Sequence, residues 1–199
     1  TLVRTTDAGE AARLRAAGAR QVRHAHDMVL EPLGPAGPGT PPLPAGLRMH
    51  GVTGQGSRLA LVSRAAYAPG HPDAADLAAA ERSYAELLSG ESAGPVMEPA
   101  SAAVTDDSGE TLVAAIVVTW LGPLPWGWDG GPWVADIFVV PSNQGRGLGT
   151  LLLTWAIATC RAAGEPRIGL SVTDGNPAER LYAALGFRRR RTLFLLDTG

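Results

Sequence analysis

The stretch QGRGLGT, Gln144 to Thr150, sets glycine at every second position, Gly145, Gly147 and Gly149, between an apolar strand pattern and a leucine-rich helical one. The first turn of a helix leaves its amides without intrahelical partners, and the helix dipole adds partial positive charge there. Glycine removes the side chains that would hold an anion away from that backbone. At a helix start it also costs roughly 1 kcal/mol relative to alanine. A close-lying pyrophosphate is one reason to accept that cost; a glycine-tolerant turn with tight helix–sheet packing is the other. A dinucleotide fold would space its glycines G-x-G-x-x-G and end the next strand on an acid. Here the spacing is G-x-G-x-G, and the next strand, RIGLSV, has no acid at its end. All 17 basic residues are arginine, which excludes a Walker P-loop and its phosphate-binding lysine.

The elements that must carry this turn read from pattern and punctuation. WVADIFVV is a strand leading into it, and a helix runs from about Gly147 to Ala163. Upstream, LRMHGVT is a strand and GSRLALVSRAAYA is a helix with Leu59, Val62 and Ala66 on one face. AADLAAAERSYAELLSG is a second helix, stopped at Gly90, and Asp107-Ser108-Gly109 turns a hairpin between two strands. Downstream come the strand RIGLSV, the helix NPAERLYAALG and a last strand, FRRRRTLFLL. The order β-α-α-β-β-β-α-β-α-β predicts an α/β fold: a mixed sheet with helices on its faces. Residues 1–31 read as a helix–strand extension, with its strand from about Gln21 to Leu30. Residues 32–46, PLGPAGPGTPPLPAG, form a linker stiffened by proline. Residues 47–199 form the main domain. AARLRAA-GARQVRHAHDMVL near the start echoes AERLYAALGFRRRRTLFLL near the end: helix, glycine, arginine, strand.

Length and composition bound the function. The 199 residues suit one globular domain with a short extension, and 45% hydrophobic content supports a real core. A formal net charge of -2 gives no basic excess for nucleic acid. The single cysteine, Cys160, excludes an internal disulfide and a thiolate metal cluster, and reads as a small buried helix residue. No apolar run reaches the roughly 20 residues of a membrane span, and no leader pattern is visible. The expectation is a cytoplasmic protein without membrane or nucleic-acid partners.

VVPSNQGRGLGTLLL resembles the acetyl-CoA-binding motif of the GNAT superfamily of N-acetyltransferases, Gln/Arg-x-x-Gly-x-Gly/Ala, with Gln144, Gly147 and Gly149 in the matching places. GNPAERLYAALGF resembles the family's following motif through Asn176, Ala178, Leu181, Tyr182, Gly186 and Phe187. The resemblance is sharp from Trp133 to Leu196. It implies a GNAT fold, a mixed, mostly antiparallel sheet with helices on both faces, splayed at the strand before the turn, and acetyl-CoA as co-substrate. Pantetheine would pair with the backbone of Phe138, Val139 and Val140, and a backbone N–H near Val140 would polarise the thioester carbonyl. The pyrophosphate would be held by the amides of Gly145, Arg146, Gly147, Leu148, Gly149 and Thr150. Asn176 would contact the cofactor arm, and Tyr182 would protonate the leaving thiolate. The acceptor would be a primary amine on a small molecule or peptide. The other reading is a non-catalytic acyl-CoA-binding sensor or partner domain.

Two departures weigh on the reading. Asn176 stands six residues before Tyr182, whereas the family usually has seven, and Ser171 stands in the strand where relatives that modify protein N-termini often carry glutamate. A base must therefore come from elsewhere. Asp136, the one acid in an apolar strand, is the candidate, and strict alternation would place it on the face of Val134 and Phe138. His71 and Asp73 are the alternatives, and a water chain is a further route. The loop holding Trp120, Trp126, Trp128 and Trp133 could wall an acceptor, cap a core or bury a homodimer contact. Arg188–Arg191 reads as part of a solvated edge strand. His24 and His26 share a strand face, and two histidines alone do not make a metal site. The early strand near His24–Leu30 could supply a sheet strand that the C-terminal sequence lacks.

Overall fold

The computed structural model describes residues 1–34, 39–67 and 76–199. They form two units, Thr1–Leu30 with Gly169–Gly199, and Glu31–Ile168. The residues expected as an extension, 1–31, are thus built together with Gly169–Gly199, and the first boundary falls at Leu30, just before the proline-rich segment.

In the first unit the strands run β1 (Leu2–Thr5), β8 (Arg188–Asp197), β2 (Arg20–Leu30) and β7 (Ile168–Thr173), in that spatial order. The early strand is therefore β2, paired antiparallel with β8 from Arg20↔Asp197 to Val29↔Arg188. β1 pairs antiparallel with β8 only over Phe194–Asp197. Helices α1 (Ala8–Ala16) and α5 (Ala178–Ala184) complete the unit.

The echo in the sequence is an echo in structure. Asp7 caps α1 by accepting from Gly9 N at 2.7 Å, and Asn176 accepts from Ala178 N at 2.9 Å at the start of α5. Gly18 ends α1 at φ 98° and Gly186 ends α5 at φ 97°. At each end the same pair of bonds closes the helix: Ala19 N to Leu14 O and Gly18 N to Arg15 O, Phe187 N to Tyr182 O and Gly186 N to Ala183 O. Exchanging β1-α1-β2 with β7-α5-β8 leaves the strand order unchanged. Leu14 stands where Tyr182 stands, so only the second copy carries the hydroxyl.

In the second unit the order is β6 (Gly131–Val139), β5 (Leu112–Leu121), β4 (Ala102–Asp106) and β3 (Leu47–His50), all antiparallel. The β4–β5 turn is fixed by Asp106, whose carboxylate accepts from Ser108 Oγ at 2.6 Å and Thr111 N at 3.2 Å. Those bonds, the serine's first, hold its carboxyl down at about 2. Helices α2 (Gly56–Ala66) and α3 (Leu77–Ser89) bury Leu59, Ala60, Ala80, Tyr84 and Leu87 against Ala103, Ala115, Val117 and Phe138. Val62 and Ala66 pack on the same cluster, as the helical spacing predicts. Helix α4 (Leu148–Ala162) is apolar over most of its surface and packs on β5 and β6. The linker's first residues are tied to this unit: Leu33 N donates to Pro166 O at 2.9 Å, and Arg161 Nε to Leu33 O at 2.9 Å.

Candidate functional site

Helix α4 starts at Leu148, with Gly147 as its cap at φ 80° and no side chain to accept from the first turn. Helices α1 and α3 are capped by the carboxylates of Asp7 and Asp76. The first helical bond of α4 is Leu151 N to Gly147 O, 2.9 Å, so the amides of Leu148, Gly149 and Thr150 precede it. Gly145 is also left-handed, φ 75°. A Cβ at Gly145 or Gly147 would meet nothing within 4 Å. Tight packing is therefore not what these two positions require; a positive φ and bare backbone are. Arg146 is exposed, and the Leu148 side chain is buried. Gln144 is exposed, and its Nε2 donates to Val139 O at 3.0 Å, which ties the turn to the end of β6.

The register of β6 sorts the three residues expected to hold pantetheine. Val140 N donates to Val113 O at 2.9 Å, and Val139 lies opposite Ala114. Antiparallel alternation then turns the main chain of Phe138 and Val140 toward β5 and that of Val139 away from it. Val139 alone of the three turns its backbone to the far edge, where its carbonyl accepts from Gln144 Nε2 and its amide is the group left to a ligand. The amide of Val140 is already engaged with β5 and does not suit the thioester oxygen.

Asp136 sits where β6 departs from strict alternation. Val117 faces Asp136 but Val118 faces Val134, so Ala135 is an extra residue, a β-bulge. The bulge separates Asp136 from the face of Val134 and leaves it with Phe138, toward α2 and α3; Ala135 packs against that same cluster. The expectation that Val134 and Asp136 share a face fails for this reason. The half-buried carboxylate of Asp136 accepts a short hydrogen bond from Tyr84 Oη and a longer one from Tyr67 Oη at 3.5 Å. Burial, then the charge of Asp136, pushes the Tyr84 phenol well above its ordinary value, so it stays a donor.

Tyr182 is buried on α5, its ring 6.2 Å from that of Phe187. Asn176 spends its side-chain oxygen on the α5 cap rather than leaving it for a ligand. Three of the four loop tryptophans pack on one another: Trp128 and Trp133 lie edge to face at 5.2 Å, with Trp126 at 6.2 and 6.4 Å from them. Trp128 is fully buried and donates to Leu121 O, so this part of the loop caps a core. Trp120 is 42% exposed. The arginine run is not a simple solvated edge. Arg189 forms a two-pronged pair with Glu179, and Arg191 binds Asp27 at 2.8 Å across from β2. His71 and Asp73 lie outside the described residues.

The chain matches the model of the acetyltransferase (GNAT) family over residues 68–187, more than half its length. It belongs to the GNAT family. Among similar solved structures is a GCN5-related N-acetyltransferase from Sphaerobacter thermophilus, with 18% identity and a TM-score of 0.67; the match covers 98% of this chain and 57% of that one. A tandem GNAT protein from the clavulanic acid biosynthesis pathway has 18% identity over 97% of this chain and 59% of its own, with a TM-score of 0.61. A GCN5-related N-acetyltransferase from Kribbella flavida has 25% identity over 96% of this chain and 65% of its own, with a TM-score of 0.53. The chain thus spans less than two thirds of the length of these structures. No curated protein matches it. The GNAT assignment fits the element order from β3 to β8, and no helix among the described residues is long and apolar enough to cross a membrane.

Two buried weak acids should make this GNAT chain sensitive to alkali. Burial, reinforced by Glu165, pushes the Cys160 thiol up to about 12, and Tyr84 is raised as well. The folded chain keeps protons that the unfolded chain releases. The stability the thiol supplies is complete below about pH 9 and is lost as pH climbs toward about 12, by about 1.4 kcal/mol per unit, and the raised phenol adds a loss above its own ordinary value. No lysine titrates in that window. The urea midpoint is expected to fall above pH 9, and Cys160→Ala with Tyr84→Phe should flatten the fall. A midpoint level to pH 11 in the parent contradicts the assignment.

Proposed function

We propose that this GNAT chain is an N-acyltransferase that moves an acetyl group from acetyl-CoA to a primary amine of a small molecule or peptide. The observation that carries the reading is the glycine turn, with two left-handed glycines, no capping side chain and three leading amides at the start of α4. That is the environment a pyrophosphate needs. Acetyl-CoA supplies the activated acyl thioester. On the protein's side, the amides from Gly145 to Thr150 hold the phosphates, and Val139 offers its backbone along β6. Asp136 takes the proton that the ammonium must lose before its nitrogen can attack, and the bulge at Ala135 aims it toward α2 and α3. Tyr182 returns a proton to the departing thiolate, a role that rests on its place in the second motif. The non-catalytic sensor remains the alternative because Asn176 is occupied as a cap and its turn is one residue short.

Calorimetric titration with acetyl-CoA, with NADH as control, tests the binding half. Micromolar affinity for acetyl-CoA alone is expected, and no heat from acetyl-CoA contradicts the reading. Thiol release across an amine panel tests the catalytic half. Tyr182→Phe is expected to lower kcat by about 100-fold while acetyl-CoA affinity stays within about threefold. Binding without turnover on any amine would favour the sensor.

A further inference from the structure

The first unit brings together three ligating side chains that serve no purpose in acyl transfer. His24 and His26 lie two apart on one face of β2, opposite Phe194 and Thr192 of β8. Asp174 follows the end of β7 and is fastened to β2 by its own amide, which donates to His24 O at 2.8 Å. His26 Nε2 lies 2.9 Å from Asp174 Oδ1, and His24 Nδ1 lies 3.2 Å from Asp174 Oδ2. One ligand atom from each residue falls within 4.8 Å of the others. Donors about 2.1 Å from a tetrahedral zinc ion stand roughly 3.4 Å apart, so small rotations bring the set to bonding distance.

Both imidazoles are also held by a second contact. His26 is 3% exposed, and its other ring nitrogen, Nδ1, sits 3.0 Å from Thr192 Oγ1, which can accept its proton and leave the Nε2 lone pair for a metal. The His24 ring stacks on Phe194 at 4.5 Å with 17° between planes, which fixes the direction of Nδ1. Arg189, whose charge reaches Asp174, is itself bound to Glu179. We propose that His24, His26 and Asp174 form a divalent-metal site, zinc by preference, with the fourth position left to water. Two imidazoles and one carboxylate suit zinc better than calcium or magnesium, which take oxygen ligands. The ion would clamp the end of β7 to β2 just before the turn that carries Asn176. The site involves none of the residues proposed for acyl-CoA and stands or falls apart from that reading.

The test uses the full chain without an affinity tag, stripped with chelator and titrated with Zn2+ by calorimetry. A Co2+ titration follows the visible d–d band in parallel. One equivalent of zinc at micromolar affinity or tighter, a higher melting temperature and a Co2+ band of tetrahedral or five-coordinate strength are expected. Asp174→Asn and His24→Gln alter partly exposed side chains and should fold; each should weaken zinc by at least roughly tenfold, while His50→Ala leaves it unchanged. No saturable binding by the parent overturns the proposal, as does binding that survives both variants or depends on His50.

Discussion

Removal of Thr1–Leu30 is expected to leave no soluble, cooperatively folded protein. The segment is not an appendage, because β2 lies inside the first unit's sheet, between β8 and β7. Its loss strips β8 of its partner over nine registered pairs. It also removes the buried side chains of Ala11, Ala25, Met28 and Val29 and the carboxylate that holds Arg191. Each large apolar side chain contributes about 1.5–3 kcal/mol, and breaking a largely buried ion pair costs about 3–5 kcal/mol. The sum reaches the whole stability of an ordinary domain, about 5–15 kcal/mol. A single change samples the same contact: Asp27→Ala should lower the melting temperature by roughly 10 °C, at a few degrees per kcal/mol. A truncated chain that melts cooperatively at the parent's temperature would show that β2 is dispensable.

Gly147→Asp is expected to cost acetyl-CoA affinity far more than it costs the fold. No side chain opposes a Cβ at Gly147, so the penalty in the folded state is the left-handed backbone, about 1–2 kcal/mol or a few degrees of melting temperature. The new carboxylate can accept from the leading amides of α4, as Asp7 and Asp76 do in their helices. It would then hold a negative charge where the pyrophosphate belongs. At roughly 6 Å and an effective dielectric near 20 that repulsion is about 2–3 kcal/mol, a thirty- to hundredfold loss in Kd. Gly54→Asp is the control, since Gly54 is left-handed at φ 74° and equally open but lies before α2. It should lose similar stability and no affinity. Equal affinity in parent and Gly147→Asp would remove the phosphate from this turn and with it the proposed cofactor site.

The parts of the fold that could be read from the sequence are those fixed by neighbours in the chain. The glycine turn, the start of α4 within one residue, the β4–β5 turn at Asp107-Ser108-Gly109 and the stop at Gly90 all carry local signals. In the first unit β2, β7, α5 and β8 were each read as elements, but β1 was missed and the way they combine was legible only as an echo. A four-residue β1 gives no periodicity to detect, and the place of β2 beside β8 depends on a partner more than 150 residues away. The same distance hid Asp174 from His24 and His26, which looked like a pair and are part of a trio. Asp136 was found by its chemistry but misplaced by its geometry. One inserted residue, Ala135, turned the strand's face, and nothing in WVADIFVV marks it as a bulge. Tyr84 within α3 and Tyr67 at the end of α2, which hold that carboxylate, carry no local signal that pairs them with a strand more than 50 residues on.

The interleaving of β2 with β8 has a consequence for how the chain is made. β2 leaves the ribosome long before its partner Arg188–Asp197, which follows it by more than 150 residues. At 5–20 residues per second the interval is roughly ten to thirty seconds. Throughout it the apolar run Ala25, Met28 and Val29 and the edge of β2 wait without β8 while residues 31–168 emerge and can fold. Pairings this distant in sequence close slowly because the loop entropy is lost before contacts repay it. The nascent chain therefore carries an exposed strand until β8 emerges, and the yield of native protein should depend on chaperone supply and translation rate more than on the stability of the finished fold.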